Sequence, residues 1–283
     1  MGIDKIFNMD CIEGLRKLPE NCIDLTVTSP PYDNLRSYGG LASWDGDFFC
    51  QVAAELMRVS KPGGVIVWIV SDATIKGSET GSSFKQALAF MEQGFRLHDT
   101  MIYHKNGFSY PETTRYYPAF EYMFVFSVGK PKTVNLIKDR QNNCAGDVIR
   151  GTNRQADGSL KLKSAVAKGI TREIKEFGVR TNIWAYNTGK WKITKDKYAY
   201  THPAMFPEAL VRDHIISWSN PGDLVLDPFM GSGTTAKMAI LLGRHYCGYE
   251  INKDYFDLAV KRTKLAVVEA ENYSQQSLLE VGT

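Results

Sequence analysis

The 283-residue chain is predicted to fold as an α/β protein on a mostly parallel sheet, with a basic segment inserted into it. Three observations predict this. Residues 65–70, V-I-V-W-I-V, form a continuous apolar run of strand length, as a parallel strand buried on both faces requires. Residues 224–242 read as an apolar strand, a Gly-x-Gly turn and an apolar helix ended by Gly243, the layout of a doubly wound nucleotide-type unit. No strand follows the helix expected at 254–268, and residues 5–10 at the other end of the chain read as the missing one.

The elements follow in order. Residues 5–10 form a strand ending in Asp10, and 11–18 a helix ended by Pro19. Residues 23–28, I-D-L-T-V-T, form a β-branched strand that the paired prolines Pro30 and Pro31 terminate. A long polar loop with three glycines covers 33–48, where Arg36, Tyr38 and Trp44 could reach a nucleic-acid backbone or serve as surface residues. Residues 49–59 are amphipathic, with Val52, Leu56 and Val59 on one face, and 61–64 read as a turn. After the apolar strand, 71–83 is a Gly/Ser/Thr-rich loop and 84–91 a helix. Residues 97–104 and 121–128 are two more strands, joined by a loop carrying Tyr110, Arg115, Tyr116 and Tyr117.

From 129 to 200 both periodicities fade. Residues 130–197 hold 16 Lys/Arg against 6 Asp/Glu, an excess of ten in a chain of net charge +3. Such a segment suits phosphate contacts, or is a solvated surface with Trp184, Tyr186 and Trp191 for packing. Order resumes at 201, with a helix over 208–218, then the strand, glycine turn and helix, then a strand over 246–250 ending in Glu250.

Two stretches carry chemistry. Ser29-Pro30-Pro31-Tyr32 is predicted to form a stiff turn at a strand's carboxyl end, where the carbonyls of Ser29 and Pro30 can face a ligand and a hydroxyl and an aromatic ring flank them. It could accept hydrogen bonds from an NH2 group and stack a flat ring; equally it could be a strand cap with Tyr32 as filler. Asp227-Pro228-Phe229-Met230-Gly231-Ser232-Gly233-Thr234 is the glycine turn, and with Ala236 it also satisfies a loose dinucleotide pattern. Together, in this order and with a basic region between, they resemble the amino-DNA methyltransferases of the permuted β subclass. That family carries a [D/N/S]-P-P-[Y/F] tetrapeptide and a D-P-F-x-G-S-G-T loop, and the resemblance runs over about residues 5–265.

The resemblance implies a Rossmann-like, circularly permuted methyltransferase fold with an antiparallel last strand, and S-adenosyl-L-methionine (AdoMet) as cofactor. It implies catalytic roles for Ser29, Pro30, Pro31 and Tyr32. It implies cofactor contacts from Asp10, Cys11, His202, Asp227, Pro228, Phe229, Gly231, Ser232, Gly233, Thr234 and Glu250, and no metal. Read without it, Asp10 is a helix N-cap, His202 a structural histidine and Glu250 a cap or ion pair, although Glu250 lies 17 residues past Gly233, near the spacing of a ribose-binding carboxylate. The implied division is 1–129 and 201–272 for the methyltransferase domain, 130–200 for target recognition and 273–283 for a tail.

The implied reaction is direct methyl transfer to an exocyclic base amine, with two acceptors drawing the nitrogen toward tetrahedral geometry. The target base must be flipped out of double-stranded DNA. S-P-P-Y members are mostly N4-cytosine enzymes and D-P-P-Y members mostly N6-adenine enzymes, so N4 of cytosine is expected first and N6 of adenine second. None of the five cysteines follows a proline, as the nucleophile of carbon-5 methylation does, and none forms a C-x-x-C. Without an apolar run of 18 residues or a signal segment, no membrane partner and a cytoplasmic location are expected. A cognate restriction endonuclease and a homodimer are the candidate protein partners. A nicotinamide dehydrogenase accounts for the glycine turn and Glu250 but not for S-P-P-Y or the basic segment. An RNA or protein-glutamine methyltransferase would carry N-P-P-Y in the opposite motif order, and a non-catalytic DNA-binding module would show a defective motif.

Overall fold

The computed structural model describes residues 2–31, 46–107 and 114–281. Tyr32, Arg36, Tyr38, Trp44 and Tyr110 lie outside them. Two compact units are present: Met1–Asn135 with Asn182–Thr283, and Leu136–Thr181.

The main unit is built on a sheet whose strands, in chain order, are β1 (Lys5–Asn8), β2 (Ile23–Thr28), β3 (Ser60–Val70), β4 (Arg96–Lys105), β5 (Phe120–Ser127), β6 (Ile183–Tyr186), β7 (Leu224–Asp227) and β8 (His245–Glu250). Their order across the sheet is β1-β8-β7-β2-β3-β5-β4-β6. β1 pairs parallel with β8, Asn8 opposite Glu250, so the N-terminal strand fills the place after β8, as permutation requires. All neighbours are parallel except β5, which runs antiparallel to both β3 and β4.

Helices α1 (Cys11–Arg16), α2 (Gly46–Val59) and α3 (Ser82–Glu92) pack in sequence against one another, and α4 (Glu208–Trp218), α5 (Thr234–Leu241) and α6 (Lys253–Val281) form a second group. The first group buries Leu15, Val52, Leu56 and Phe90 with Trp68 and Phe126 of the sheet, which explains the apolar spacing of α2. No helix among the described residues is long and apolar enough to cross a membrane.

Some expectations are revised. β3 begins at Ser60, through the Pro-Gly-Gly read as a turn, with its register to β2 shifting between Ile23 and Leu25. A short hairpin, Thr74–Ile75 with Ser78–Glu79, lies in the expected 71–83 loop. The last helix runs on to Val281, so the 273–283 tail is largely helical. The 130–200 segment divides: Leu136–Thr181 is a unit of its own, whereas Asn182 onward belongs to the main unit and adds β6, parallel to β4.

The small unit consists of two antiparallel ladders, Thr152–Arg154 with Leu160–Leu162 and Arg140–Gln141 with Phe177–Gly178. None of its described side chains is buried, and Leu160 and Ile170 are 66% and 54% exposed. Backbone pairing, the Arg180–Asp139 ion pair and the Asn142 amide bonded to the Lys175 carbonyl at 2.8 Å hold it. It carries ten Lys/Arg against five Asp/Glu, half of the excess of the 130–197 segment.

Candidate active site

β2 and β7 run side by side, Val225 opposite Leu25 and Leu226 opposite Thr26. Their carboxyl ends therefore open together where the strand order turns back, the place at which doubly wound sheets bind ligands. β2 delivers Ser29-Pro30-Pro31, with Pro30 buried and its two neighbours half-buried. β7 delivers the glycine loop.

Asp227 joins the two. Its carboxylate, 1% exposed, accepts from Thr28 Oγ1 at 2.6 Å and the Phe229 amide at 3.0 Å through Oδ1, and from Thr235 Oγ1 at 2.7 Å through Oδ2. Thr235 Oγ1 also lies 3.2 Å from the Val27 carbonyl. Burial raises the Asp227 pKa to about 6, against the opposing pull of these donors. Expected among the cofactor contacts, Asp227 instead has its carboxylate turned inward, where it ties the turn after β2 to the loop after β7.

The loop's shape depends on two glycines. Gly231 and Gly233 have φ of +50° and +80°, in the left-handed region. A Cβ at Gly231 would lie 2.9 Å from His202 Nε2, and one at Gly233 would lie 3.0 Å from Ala259. The His202 ring is thus stationed against Gly231. Its Nδ1 accepts from the Ala204 amide at 3.1 Å, which leaves the proton of the neutral ring on Nε2, and its ring meets Tyr255 edge-on at 4.4 Å. Phe229, half-buried, leans on Trp68 at 6.1 Å and Phe48 at 6.4 Å between centroids.

Carboxylates complete the far side. Glu250 at the end of β8 accepts from the Gly231 amide through Oε2 and the Asn252 amide through Oε1, both at 2.8 Å. Burial raises its pKa while these two amides oppose the rise. A carboxylate has about four lone-pair sites, so Glu250 can accept from a ligand hydroxyl as well as from these amides. Asp10 is the N-cap of α1, Oδ1 accepting from the amides of Ile12 at 2.9 Å and Glu13 at 3.1 Å. Cys11 is buried, and its thiol pKa is raised by burial, then by Asp10 and Glu250, so it stays a thiol.

Ser232 and Thr234, expected to contact a cofactor, are each 4% exposed and turn their side chains to Arg262. Arg262 Nη1 donates to Ser232 Oγ at 3.1 Å and Thr234 Oγ1 at 2.8 Å. Its Nε donates to Asp196 at 2.7 Å and its Nη2 to Glu208 and to Thr194 Oγ1. Lys237 Nζ bonds the same Asp196 and Glu208, at 2.9 Å each. Burial works against it, but the Arg262 and Lys237 hydrogen bonds hold the Asp196 pKa below the usual carboxylate range. Asp196 and Glu208 bracket His202 in the chain, so this buried cluster fastens the histidine segment and the loop to one support. Sequence reasoning missed Thr28, Thr235 and this cluster. The available signal was a charged residue, Arg262, standing between Ala259 and Ala266 in the inward stripe of α6.

A DNA methylase family, N6_N4_Mtase, matches residues 23–261. The chain belongs to this family. It is 56% identical over 87% of its length to orphan methyltransferase M.BamHII of Bacillus amyloliquefaciens, 90% of which is covered. It is 28% identical over 98% of its length to DNA adenine methyltransferase YhdJ of Escherichia coli K12, covering 86% of that protein. Its fold matches that of the cytosine-N4-specific PvuII DNA methyltransferase with a TM-score of 0.66 at 20% identity, covering 93% of this chain and 86% of the other. It matches TTHA0409 of Thermus thermophilus, in complex with AdoMet, with a TM-score of 0.60 at 25% identity, covering 93% and 95%. The protein is a DNA methyltransferase of the N4/N6 amino family and uses AdoMet. The site fits that cofactor: a loop that a Cβ would fill, a half-buried aromatic ring, and carboxylates able to accept hydroxyls.

Proposed function

We propose that this methyltransferase acts on N4 of cytosine in double-stranded DNA, at the tetrapeptide Ser29-Pro30-Pro31-Tyr32. Serine at the first position of S-P-P-Y supports the choice of cytosine, and the Thr28–Asp227 hydrogen bond, which fixes the Ser29-Pro30 turn to the glycine loop, supports the placement of the reaction. A base amine held at the turn and a cofactor held at the loop then meet across one strand boundary.

AdoMet, when bound, supplies an electrophilic methyl group. Glu250 takes the ribose hydroxyls and Asp10 the adenosine part, while the backbone of residues 231–234 and the Phe229 ring line the cradle. His202 covers the methionine end. Asp227 and Pro228 act through the loop's shape, as positioning residues.

Ser29 Oγ and the Pro30 carbonyl accept from the two N–H bonds of the target amine. This draws the nitrogen lone pair out of the ring and aims it in line with the methyl group. Tyr32 stacks on the flipped base. The serine hydroxyl can also donate to N3 of cytosine, which an ionised aspartate in its place could not do.

Methylation of adenine N6 is the second reading. Adenine N1 can accept the same serine proton, and the 28% identical relative is named a DNA adenine methyltransferase. The serine of S-P-P-Y favours cytosine. Residues 130–200, basic and including the almost coreless unit 136–181, are proposed for DNA contact and target choice. Mass spectrometry of nucleosides from DNA treated with the protein and AdoMet tests the choice of base. N4-methylcytosine is expected; N6-methyladenine without it overturns the cytosine reading.

A further inference from the structure

We propose that Trp191, with Lys190 and Lys197, forms a second DNA contact, in the main unit. The indole stacks on a base left without its partner and the two ammonium groups meet phosphates, without regard to sequence. This rests on the DNA methyltransferase assignment and on the DNA-contacting role proposed for residues 130–200, and it gives three residues of that segment, outside the 136–181 unit, a specific role: stacking on an unpaired base.

The backbone supplies the first reason. Trp191 has φ of +72°, in the left-handed region that a bulky side chain rarely occupies. Glycine would adopt it freely, yet the chain keeps a tryptophan there whose surface is 55% exposed. Burial in a core therefore does not account for the residue. Such outliers persist where the surroundings over-determine them, and they collect at sites of function.

The surroundings do over-determine it. The Trp191 amide donates to the Tyr200 hydroxyl at 2.7 Å, and that hydroxyl donates to the Thr194 carbonyl at 3.1 Å. The Tyr200 ring lies 5.2 Å from the indole. Thr194 is bonded in turn to Glu208 at 2.6 Å and to Arg262 at 3.1 Å, in the cluster beneath the glycine loop. The exposed ring is thus carried on a stiff mount that shares its anchor with the cofactor loop.

Charge supplies the partner. The ammonium groups of Lys190 and Lys197 each sit over the indole ring, 5.5 Å from its centroid, where a stacking base would displace them toward its phosphates, and Lys192 and Lys195 beside them are exposed. Residues 182–197 carry four lysines against Asp196 alone, so this stretch is positive independently of the small unit. An aromatic ring among exposed lysines is the composition of a platform for unpaired bases and their phosphates, and stacking of this kind tolerates any base. The assigned reaction creates such a base, since extruding the target leaves its partner unpaired.

The test measures anisotropy of a fluorescein-labelled oligothymidine with the full-length wild type and with W191G, W191F and a K190A/K197A double variant. W191G is expected to weaken binding about 5- to 150-fold, the range for loss of one stacked base, and W191F to keep most of the affinity. W191G should melt no lower than wild type, because glycine suits the left-handed backbone. The double variant should flatten the salt dependence by about 1.4 in the log–log slope, as expected for two fewer single-strand phosphate contacts. Wild-type affinity in W191G, or equal losses in W191F and W191G, would overturn the proposal. Methyl transfer to genomic DNA by the wild type is followed in parallel. If it occurs and W191G binds normally, only this proposal fails; if it does not occur, the underlying assignment fails.

Discussion

Thr28 and Asp227, 199 residues apart, share a buried hydrogen bond of 2.6 Å between the strand that carries the catalytic turn and the strand that carries the glycine loop. Thr28→Val removes the donor while preserving shape. Stability should fall by about 1.5–3 kcal/mol, as for a hydrogen bond to a charged acceptor, and the turnover rate should fall with it. Thr28→Ser should restore both. Urea denaturation and methyl-transfer kinetics on the three proteins check this.

The same carboxylate sets a pH dependence. The Asp227 pKa is about 6 in the folded chain against an ordinary 3.8, so the native state holds its proton more tightly than the unfolded state. This group's contribution is therefore most favourable below pH 3.8 and is lost as pH rises through about 6, a change on the order of 3 kcal/mol. Asp227→Asn should remove it. The stability difference between wild type and variant should narrow from about pH 4 to pH 7 in denaturation curves; parallel curves would contradict the assignment.

Gly231→Ala places a Cβ 2.9 Å from His202 Nε2 on a backbone with φ of +50°. AdoMet affinity, measured calorimetrically, should drop at least about tenfold, equivalent to 1.4 kcal/mol. Adding His202→Ala should relieve the collision but not the backbone strain, so the double variant should recover only part of the loss in melting temperature.

Arg262→Met takes the guanidinium from Asp196 and Glu208, which keep the Lys237 ammonium and, for Glu208, the Thr194 hydroxyl, and it removes the donors to Ser232 and Thr234. Breaking a buried pair from one side costs about 3–5 kcal/mol. A melting temperature lowered by several degrees, with weaker AdoMet binding, is the expected result. Arg262→Lys should recover less than half, because an ammonium lacks the planar fork that serves several partners at once.

The sheet and its permuted order were legible because continuous apolar runs mark buried parallel strands and because residues 5–10 offered the strand missing after β8. β6 was not. Its alternation, Trp184 and Tyr186 inward and Ile183 and Ala185 outward, spans four residues in a lysine-rich stretch and is too short to stand out. At the site, motifs located the residues but not the directions of their side chains. Asp227, Ser232 and Thr234 belong to the loop pattern, yet their side chains serve the fold, because a buried carboxylate and buried hydroxyls must find partners inside. Those partners, Thr28, Thr235 and Arg262, come from distant elements, so no local pattern announced them.

The most direct test of the catalytic account is single-turnover methyl transfer by Ser29→Ala, with AdoMet affinity measured on the same preparation. Loss of one of two acceptors on the target amine should slow transfer by about 10²–10³ and leave cofactor affinity unchanged. A wild-type transfer rate in this variant would contradict the placement of the amine at Ser29 and Pro30.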